Sequence, residues 1–277
     1  MGHELGSKRR KLLATLQSDL YVKFASFRRT PKPNRETPRE VRIEKKTINM
    51  KNKKDNLTNL VKPSLNVKIS KELRDIIHGY IMSDGYVNDS GSLSVDQSQQ
   101  QEKFVEWLYE KLKDVRNDSA ISKVERTHSK TNKKSYSLRF QTKSLLIGFH
   151  KMWYKPYTNE KGVKVFKKSL PKRMDGFFSP TFLTLWFAGD GTKIIGSIGA
   201  KFEVTALTSD ERETLQKLFK KKFNIEVKIN RAGFSRAKNQ QWTININSSE
   251  YPKFRSLITK IDLVEKYFPH KLHPKVD

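Results

Sequence analysis

Two isolated aspartates, Asp84 and Asp190, each end an apolar stretch of helical length in a strongly basic chain. The first lies in KELRDIIHGYIMSDGYV (71–87) and the second in SPTFLTLWFAGDGTK (179–193), 106 residues further on. A glycine follows each acid: Gly85 can adopt the left-handed conformation that ends a helix, and Gly191 is the expected stop of the second helix. A carboxylate in the last turn lies at the negative end of the helix dipole, which is unfavourable alone and favourable beside a cation. These residues therefore suit cation binding.

Both apolar stretches are predicted helices. In the second, Ser179 suits the N-cap and Pro180 the first helical position, and the residues that follow leave almost no polar face, so we expect burial on most sides. In the first, Gly79 and Ser83 form a seam of small residues. Its apolar stripe follows a helical period and comprises Leu73, Ile76, Ile77, Tyr80 and Ile81.

The segments after the two helices also repeat. Each half continues with two short strands, an amphipathic helix, two alternating strands and a third helix, predicted near 143–153 and 250–261. The strand segments are SLSVDQS, AISKVER and SYSLRFQT in the first half, and AKFEVTAL, IEVKIN and QWTININ in the second. This order predicts an internal duplication of about 105 residues.

Composition restricts the partner. The chain has 277 residues, a formal charge of +27 and a pI near 10.0, which favours a polyanion. Nucleic acid is the leading candidate; an anionic membrane is the weaker one, because no basic amphipathic helix stands out and no apolar run reaches the length of a membrane span. The absence of cysteine excludes disulfides, thiol chemistry and Cys-ligated zinc.

Residues 1–65 form a basic segment of different character. The run RRTPKPNRETPRE (28–40) predicts an extended, partly disordered arm. A solvated tail is the simplest interpretation. The alternatives are a nucleic-acid clamp and an organelle-targeting segment, and the acids in this region weaken the second.

The segments His78–Gly85 and Thr184–Gly191 resemble the two motifs of single-chain LAGLIDADG homing endonucleases, over roughly residues 65–275. The resemblance implies an α+β fold of two pseudo-symmetric αββαββα repeats with saddle-shaped antiparallel sheets, spanning 66–170 and 171–277, after the basic N-terminal arm. Two departures are visible. Leu185 stands where small residues usually allow close helix packing, and Met82-Ser83 replaces the usual Asp-Ala pair.

The resemblance also implies a catalytic site. The two motif helices would pack side by side, bringing Asp84 and Asp190 together as catalytic ligands of Mg²⁺, for which Mn²⁺ substitutes, with the backbone carbonyls of Ser83 and Gly189. Oxygen ligands are those that Mg²⁺ prefers.

Two lysines in similar contexts are the other catalytic candidates. Lys168 in KKSLPKR follows Asp84 by 84 residues, and Lys271 in HKLHPK follows Asp190 by 81. By the resemblance they would lie near the scissile phosphate, where a lysine can offset developing charge. The alternative is that they are ordinary surface lysines. His270 and His273 do not suggest a metal site, since no third ligand has suitable spacing.

Strand alternation predicts the DNA-binding face. On each strand the polar positions oppose the apolar ones and carry residue types that contact base edges and phosphates; a solvated sheet face is the alternative. The predicted DNA-binding residues are Ser92, Ser94, Asp96, Arg139, Gln141, Lys193, Lys201, Glu203, Thr205, Lys228, Asn230, Arg231, Arg236, Lys238, Thr243 and Asn245.

Three functions stay open. The first is a metal-dependent, site-specific endonuclease of the intron-homing type, which cuts double-stranded DNA and leaves short 3′ overhangs as a monomer with internal pseudo-twofold symmetry. The second is an intron maturase of the same fold that binds intron RNA, with or without cleavage. The third is a basic RNA-binding or ribosome-associated protein. The resemblance implies an organelle location, mitochondrion or chloroplast. Two retained acids favour the first function.

Overall fold

A computed structural model of the protein describes residues 69–129 and 131–274. The predicted N-terminal arm, residues 1–65, lies outside the described residues. No helix within the described ranges is long and apolar enough to cross a membrane.

Each half of the described chain contains the same series of elements. The first half has helices α1 (Lys71–Met82), α2 (Glu102–Lys111) and α3 (Ile147–Trp153). Its strands are β1 (Tyr86–Val87), β2 (Leu93–Ser98), β3 (Ser122–Thr127) and β4 (Lys134–Gln141). They form an antiparallel sheet in the order β1-β2-β4-β3.

After α3, a separate antiparallel hairpin of β5 (Tyr154–Thr158) and β6 (Lys164–Lys168) precedes the second half. The second half has helices α4 (Pro180–Asp190), α5 (Ser209–Phe223), α6 (Tyr251–Ile258) and α7 (Val264–Tyr267). Strands β7 (Gly191–Lys193), β8 (Ala200–Glu203), β9 (Val227–Phe234) and β10 (Gln240–Ile246) pair in the order β7-β8-β10-β9. The matching strand orders confirm the predicted repeat.

Local sequence explains where the two long apolar helices begin. Ser70 caps α1 by accepting a hydrogen bond from the Leu73 amide, and Ser179 caps α4 by accepting one from the Phe182 amide. Helix α4 is buried along its length from Phe182 to Ala188, as its nearly continuous apolar sequence predicts.

Helices α1 and α4 pack against each other at two glycines. A Cβ on Gly79 would lie 2.7 Å from the Phe182 carbonyl oxygen and 2.8 Å from the Leu185 Cβ. A Cβ on Gly189 would lie 2.4 Å from the Ser83 Cβ. Only glycine permits such an approach, and Gly79 supplies the space that Leu185 takes. The departure at Leu185 is therefore compensated on the opposite helix.

Candidate active site

The two acids meet where α1 and α4 end. Asp190 is the last residue of α4, and Asp84 lies two residues beyond α1. A Cβ on Gly189 would lie 2.9 Å from the Asp84 Oδ2. The Asp84 carboxylate is thus held against the residue that directly precedes Asp190.

The environments of the two acids differ. Asp84 is exposed and Asp190 is half-buried. Burial, and next the Asp84 carboxylate, raise the pKa of Asp190 to about 7, although Lys168 and Lys271 pull it down. A carboxylate whose charge is destabilised in this way gains from a nearby cation. The pair of carboxylate oxygens fits a hard divalent ion such as Mg²⁺ or Mn²⁺.

Each lysine caps one of the two helices. Lys168 Nζ donates to the carbonyl oxygens of Ile81 at 2.6 Å and Ser83 at 3.0 Å. Lys271 Nζ donates to Ala188 O at 2.6 Å and Gly189 O at 2.8 Å. The last carbonyls of a helix have no partner within it, so a cation there is favourable. The structure therefore places both lysines beside the acids.

The acids and lysines influence one another's charge. Burial lowers the pKa of Lys168, and the Asp190 and Asp84 carboxylates oppose that shift. Burial lowers the pKa of Lys271 to about 8, again against Asp84 and Asp190. Two acids and two cations thus form one electrostatic cluster at the junction of the helices.

The backbone carbonyls of Ser83 and Gly189 are the other metal ligands that the sequence analysis predicts. Both accept hydrogen bonds from a lysine ammonium. A carbonyl oxygen has two lone pairs, so the hydrogen bond from lysine leaves one of them. That these carbonyls also bind the metal stays a prediction, and the two carboxylates are the ligands that carry negative charge.

Gln97 is a site residue that the sequence reasoning missed. Its Nε2 donates to Asp84 Oδ2 at 3.1 Å and to the Tyr80 hydroxyl at 3.2 Å. The signal was present, since alternation in SLSVDQS puts a glutamine on the apolar face of β2. Tyr86 and Thr192 each lie two residues after their aspartate, and they pair with Ser94 and Lys201 respectively. Gln97 lies three residues after Ser94, and Val204 lies three residues after Lys201. Val204, which is buried, is therefore the residue of the second half that matches Gln97.

The polar face of the first sheet contains four of its five predicted DNA-binding residues. Asp96 accepts hydrogen bonds from Arg139 and Arg126, and Gln141 donates to the Ser94 hydroxyl. Ser92 was wrongly assigned to this face. It precedes β2, is buried, and donates to the Thr142 carbonyl.

The polar face of the second sheet is built by register. Thr243 pairs with Glu203 and Asn230, and Asn245 pairs with Lys201 and Lys228. Neighbours on paired strands point to the same side, so these six predicted residues share one face. Thr243 is itself only 6% exposed, which limits its contact with a ligand.

Three other predicted DNA-binding residues of the second half have different surroundings. Thr205 lies beyond β8, and its hydroxyl accepts from the Trp242 amide. Lys193 lies on the opposite face from Thr192, and its Nζ donates to Leu272 O at 3.5 Å. Arg231 pairs with Trp242, and its guanidinium lies 5.5 Å from the centroid of that indole ring. The side chains of all three are engaged within the protein.

The remaining predictions concern loops and histidines. Arg236 and Lys238 lie in the turn between β9 and β10, where Lys238 has a left-handed φ of 59°. His273 Nε2 contacts the Gly199 carbonyl at 2.9 Å. Within the described part of the chain, no cluster of three or more His, Cys, Asp or Glu could hold a metal.

The chain is similar in sequence to a known protein family. The sequence model of the LAGLIDADG DNA endonuclease family matches residues 74–254. No curated protein sequence matches the chain.

Solved structures also match. The homing endonuclease I-WcaI bound to its DNA recognition sequence is 19% identical, with a TM-score of 0.60 over 75% of this chain and 88% of that chain. I-DmoI in complex with DNA and Mn is 14% identical, with a TM-score of 0.42 over 70% and 98%. The N-terminal LAGLIDADG domain of DUF199/WhiA is 14% identical, with a TM-score of 0.39 over 73% and 91%. The likeness to I-WcaI shows a shared fold.

Proposed function

Because the chain belongs to the LAGLIDADG DNA endonuclease family, we propose that it cuts both strands of a specific duplex DNA site by metal-dependent hydrolysis where α1 and α4 end. The observation that supports this proposal is the meeting of Asp84 with Gly189-Asp190 at two helix ends that are each capped by a lysine.

In this proposal Asp84 and Asp190 hold the divalent cation. When bound, such an ion activates water and stabilises the charge of the leaving oxygen. Gln97 orients Asp84 through its hydrogen bond to Oδ2. Lys168 and Lys271 fix the two helix ends and place positive charge beside the reacting phosphate.

The polar sheet faces would hold the duplex. Arg139, Gln141, Asn230 and Asn245 are side chains of the types that read base edges in the major groove, and exposed Lys228 suits a phosphate. As the resemblance implies, we propose that the enzyme acts as a monomer of the intron-homing type and leaves short 3′ overhangs.

The test is cleavage of a duplex library containing candidate intron-insertion sites, with Mg²⁺, with Mn²⁺ and with EDTA. We expect cleavage at one sequence with either metal and none with EDTA. Asp84→Asn and Asp190→Asn should each abolish cleavage and leave DNA binding, because each removes a metal ligand rather than a phosphate contact.

Asp262→Asn is the matched control, since it changes the same charge on an exposed residue far along the chain and should cut normally. Full cleavage by either active-site variant would contradict the assignment. Tight binding of intron RNA with no DNA cleavage in either metal would favour the maturase alternative.

A further inference from the structure

A basic cavity lies on the flank of the first half, away from the acids. It has a volume of about 520 Å³, within the range of small-molecule sites. Helix α1, helix α3, strand β5 and the segment before α4 line it, and none of its lining residues comes from either four-stranded sheet. His78 and Arg74 precede Asp84 by six and ten residues, or about 9–15 Å along a helix. The proposed cleavage site therefore does not include this cavity.

The charge of the cavity is of one sign. Its lining includes the cations Arg74, Lys151, Lys155, Lys172 and Arg173, and no acidic residue. The Arg74 Nε lies 3.8 Å from Oδ1 of the buried Asp75. The other four are exposed and make no ion pair or side-chain hydrogen bond within residues 69–129 and 131–274. Elsewhere in these ranges many lysines are paired, for example Lys111 with Glu72 and Lys221 with Asp175. The rim is thus an uncompensated site for an anion.

A buried donor belongs to the same lining. His78 is only 1% exposed and its Nδ1 accepts from Trp153 Nε1 at 2.8 Å, so the ring proton is on Nε2. His78 lines the cavity, and its Nε2 has no hydrogen-bond partner among the described residues. The ring is fixed by stacking on Phe177 with the centroids 3.6 Å apart. A rigid N–H without a protein partner is suited to a ligand acceptor.

Apolar side chains complete the lining. Met152 is 46% exposed although it borders the cavity, and Leu170 and Phe177 form its inner surface. A free inorganic anion would use the cations and leave this apolar surface unused. A planar base with phosphates attached would use both, since unpaired bases pack on aromatic and apolar side chains.

We propose that this cavity binds an unpaired nucleotide, with its base against Met152 and Phe177, a base acceptor on His78 Nε2, and the flanking phosphates on the rim cations. An RNA loop and a single-stranded DNA segment both present this chemistry. Paired duplex DNA does not, because its bases stay stacked. The site is independent of cleavage, so it does not rest on the function proposed above.

The test uses the full chain in EDTA with two fluorescein-labelled nine-nucleotide probes, an RNA with a central 4-thiouridine and a single-stranded DNA with a central 4-thiothymidine. Unlabelled duplex DNA in excess occupies the general DNA-binding surfaces. Anisotropy measures affinity, and photo-crosslinking followed by peptide mapping locates the base. We expect crosslinks from the RNA, the DNA or both to peptides containing Met152 or Phe177.

Two variants distinguish this site from general charge. Met152→Ala removes part of the apolar surface under the base and no charge, and Lys172→Ala with Arg173→Ala removes two rim cations. We expect each to weaken probe binding about tenfold. The matched control is Lys103→Ala with Lys260→Ala, which removes two exposed cations outside the cavity. It should change the affinity for the probe less than twofold.

Two outcomes would overturn the proposal. One is crosslinking confined to residues 1–65 or to the sheet faces. The other is an equal loss of affinity in the cavity variants and the control. Because Met152, Lys172 and Arg173 are exposed, all variants should keep the wild-type melting temperature, which is checked first.

Discussion

The two halves share one backbone plan but place different side chains at matching positions. His78 in α1 corresponds to Thr184 in α4, and each links its helix to the third helix of its own half. His78 accepts from Trp153, whereas the Thr184 hydroxyl shares its proton between the Pro180 carbonyl of its own helix at 2.8 Å and the Ile258 carbonyl at 3.2 Å. Duplication therefore preserved the contact and changed its chemistry, since only the first can titrate.

The residues around the two acids also differ between the halves. Gln97 braces the exposed Asp84, whereas the half-buried Asp190 has the apolar Val204 at the matching position. The lysine caps, in contrast, are nearly identical in the two halves. The caps are thus the symmetric part of the site and the surroundings of the acids the asymmetric part.

After changes to the two acids, changes to the lysine caps should slow cleavage most. We expect Lys168→Met or Lys271→Met to slow cleavage by about 2–4 kcal/mol of barrier, the range for one preorganised charge stabiliser. A time course on supercoiled target plasmid, resolving nicked from linear product, measures this. Lys167→Met, at an exposed neighbouring position, is the control. Wild-type rates in both variants would make these lysines helix caps without a catalytic role.

The contact between α1 and α4 should be the next most sensitive feature. Gly79→Ala would place a Cβ 2.7 Å from the Phe182 carbonyl, and we expect it to cost about 1–3 kcal/mol of stability through overpacking. Gly148→Ala in α3 meets nothing within 4 Å and should stabilise by up to about 1 kcal/mol. Urea unfolding of both variants gives the comparison. Equal stabilities would mean that the helices can separate at little cost.

Lowering the pH should reduce the free energy of unfolding through His78 in the first half. Burial lowers the pKa of His78 to about 3 from its ordinary 6.5, so between these values the unfolded chain binds a proton that the folded one does not. The His78 contribution is therefore complete above pH 6.5 and falls by up to about 1.4 kcal/mol per unit as pH drops towards 3. We expect His78→Gln to flatten the fall in unfolding free energy between pH 7 and pH 5. Parallel curves for the variant and wild type would contradict this.

The brace on Asp84 should give the smallest effect. Gln97→Leu removes one hydrogen bond to that carboxylate, worth about 1 kcal/mol. Because Gln97 contacts Asp84 and has no polar counterpart in the second half, we expect the two strands to slow unequally and nicked plasmid to accumulate. Strand-specific end labels measure the two rates, with Val204→Leu as the control. Equal slowing of both strands would remove the asymmetry.

Much of the fold could be predicted from the sequence because apolar periodicity and the N-cap serines act locally. The β5–β6 hairpin was missed, since Pro156 and exposed lysines obscure its alternation. Ser92 and Thr205 were misassigned because the alternation was extended past the observed ends of β2 and β8.

The site was only partly predictable for a different reason. The acids and lysines stand out by type and spacing, but the lysine contacts with carbonyls on distant helices depend on tertiary packing. No local pattern indicates that Lys271 reaches Gly189. Gln97 could have been found as a polar residue on an apolar strand face.

The central claim is that Asp84 and Asp190 together hold one divalent cation between the ends of α1 and α4. Titration of Mn²⁺ into the protein, followed by electron paramagnetic resonance of the free ion, tests it without reference to cleavage. We predict one site that is lost in Asp84→Asn and in Asp190→Asn, and kept in Asp262→Asn and Lys271→Met. Unchanged Mn²⁺ binding in either active-site variant would contradict the account.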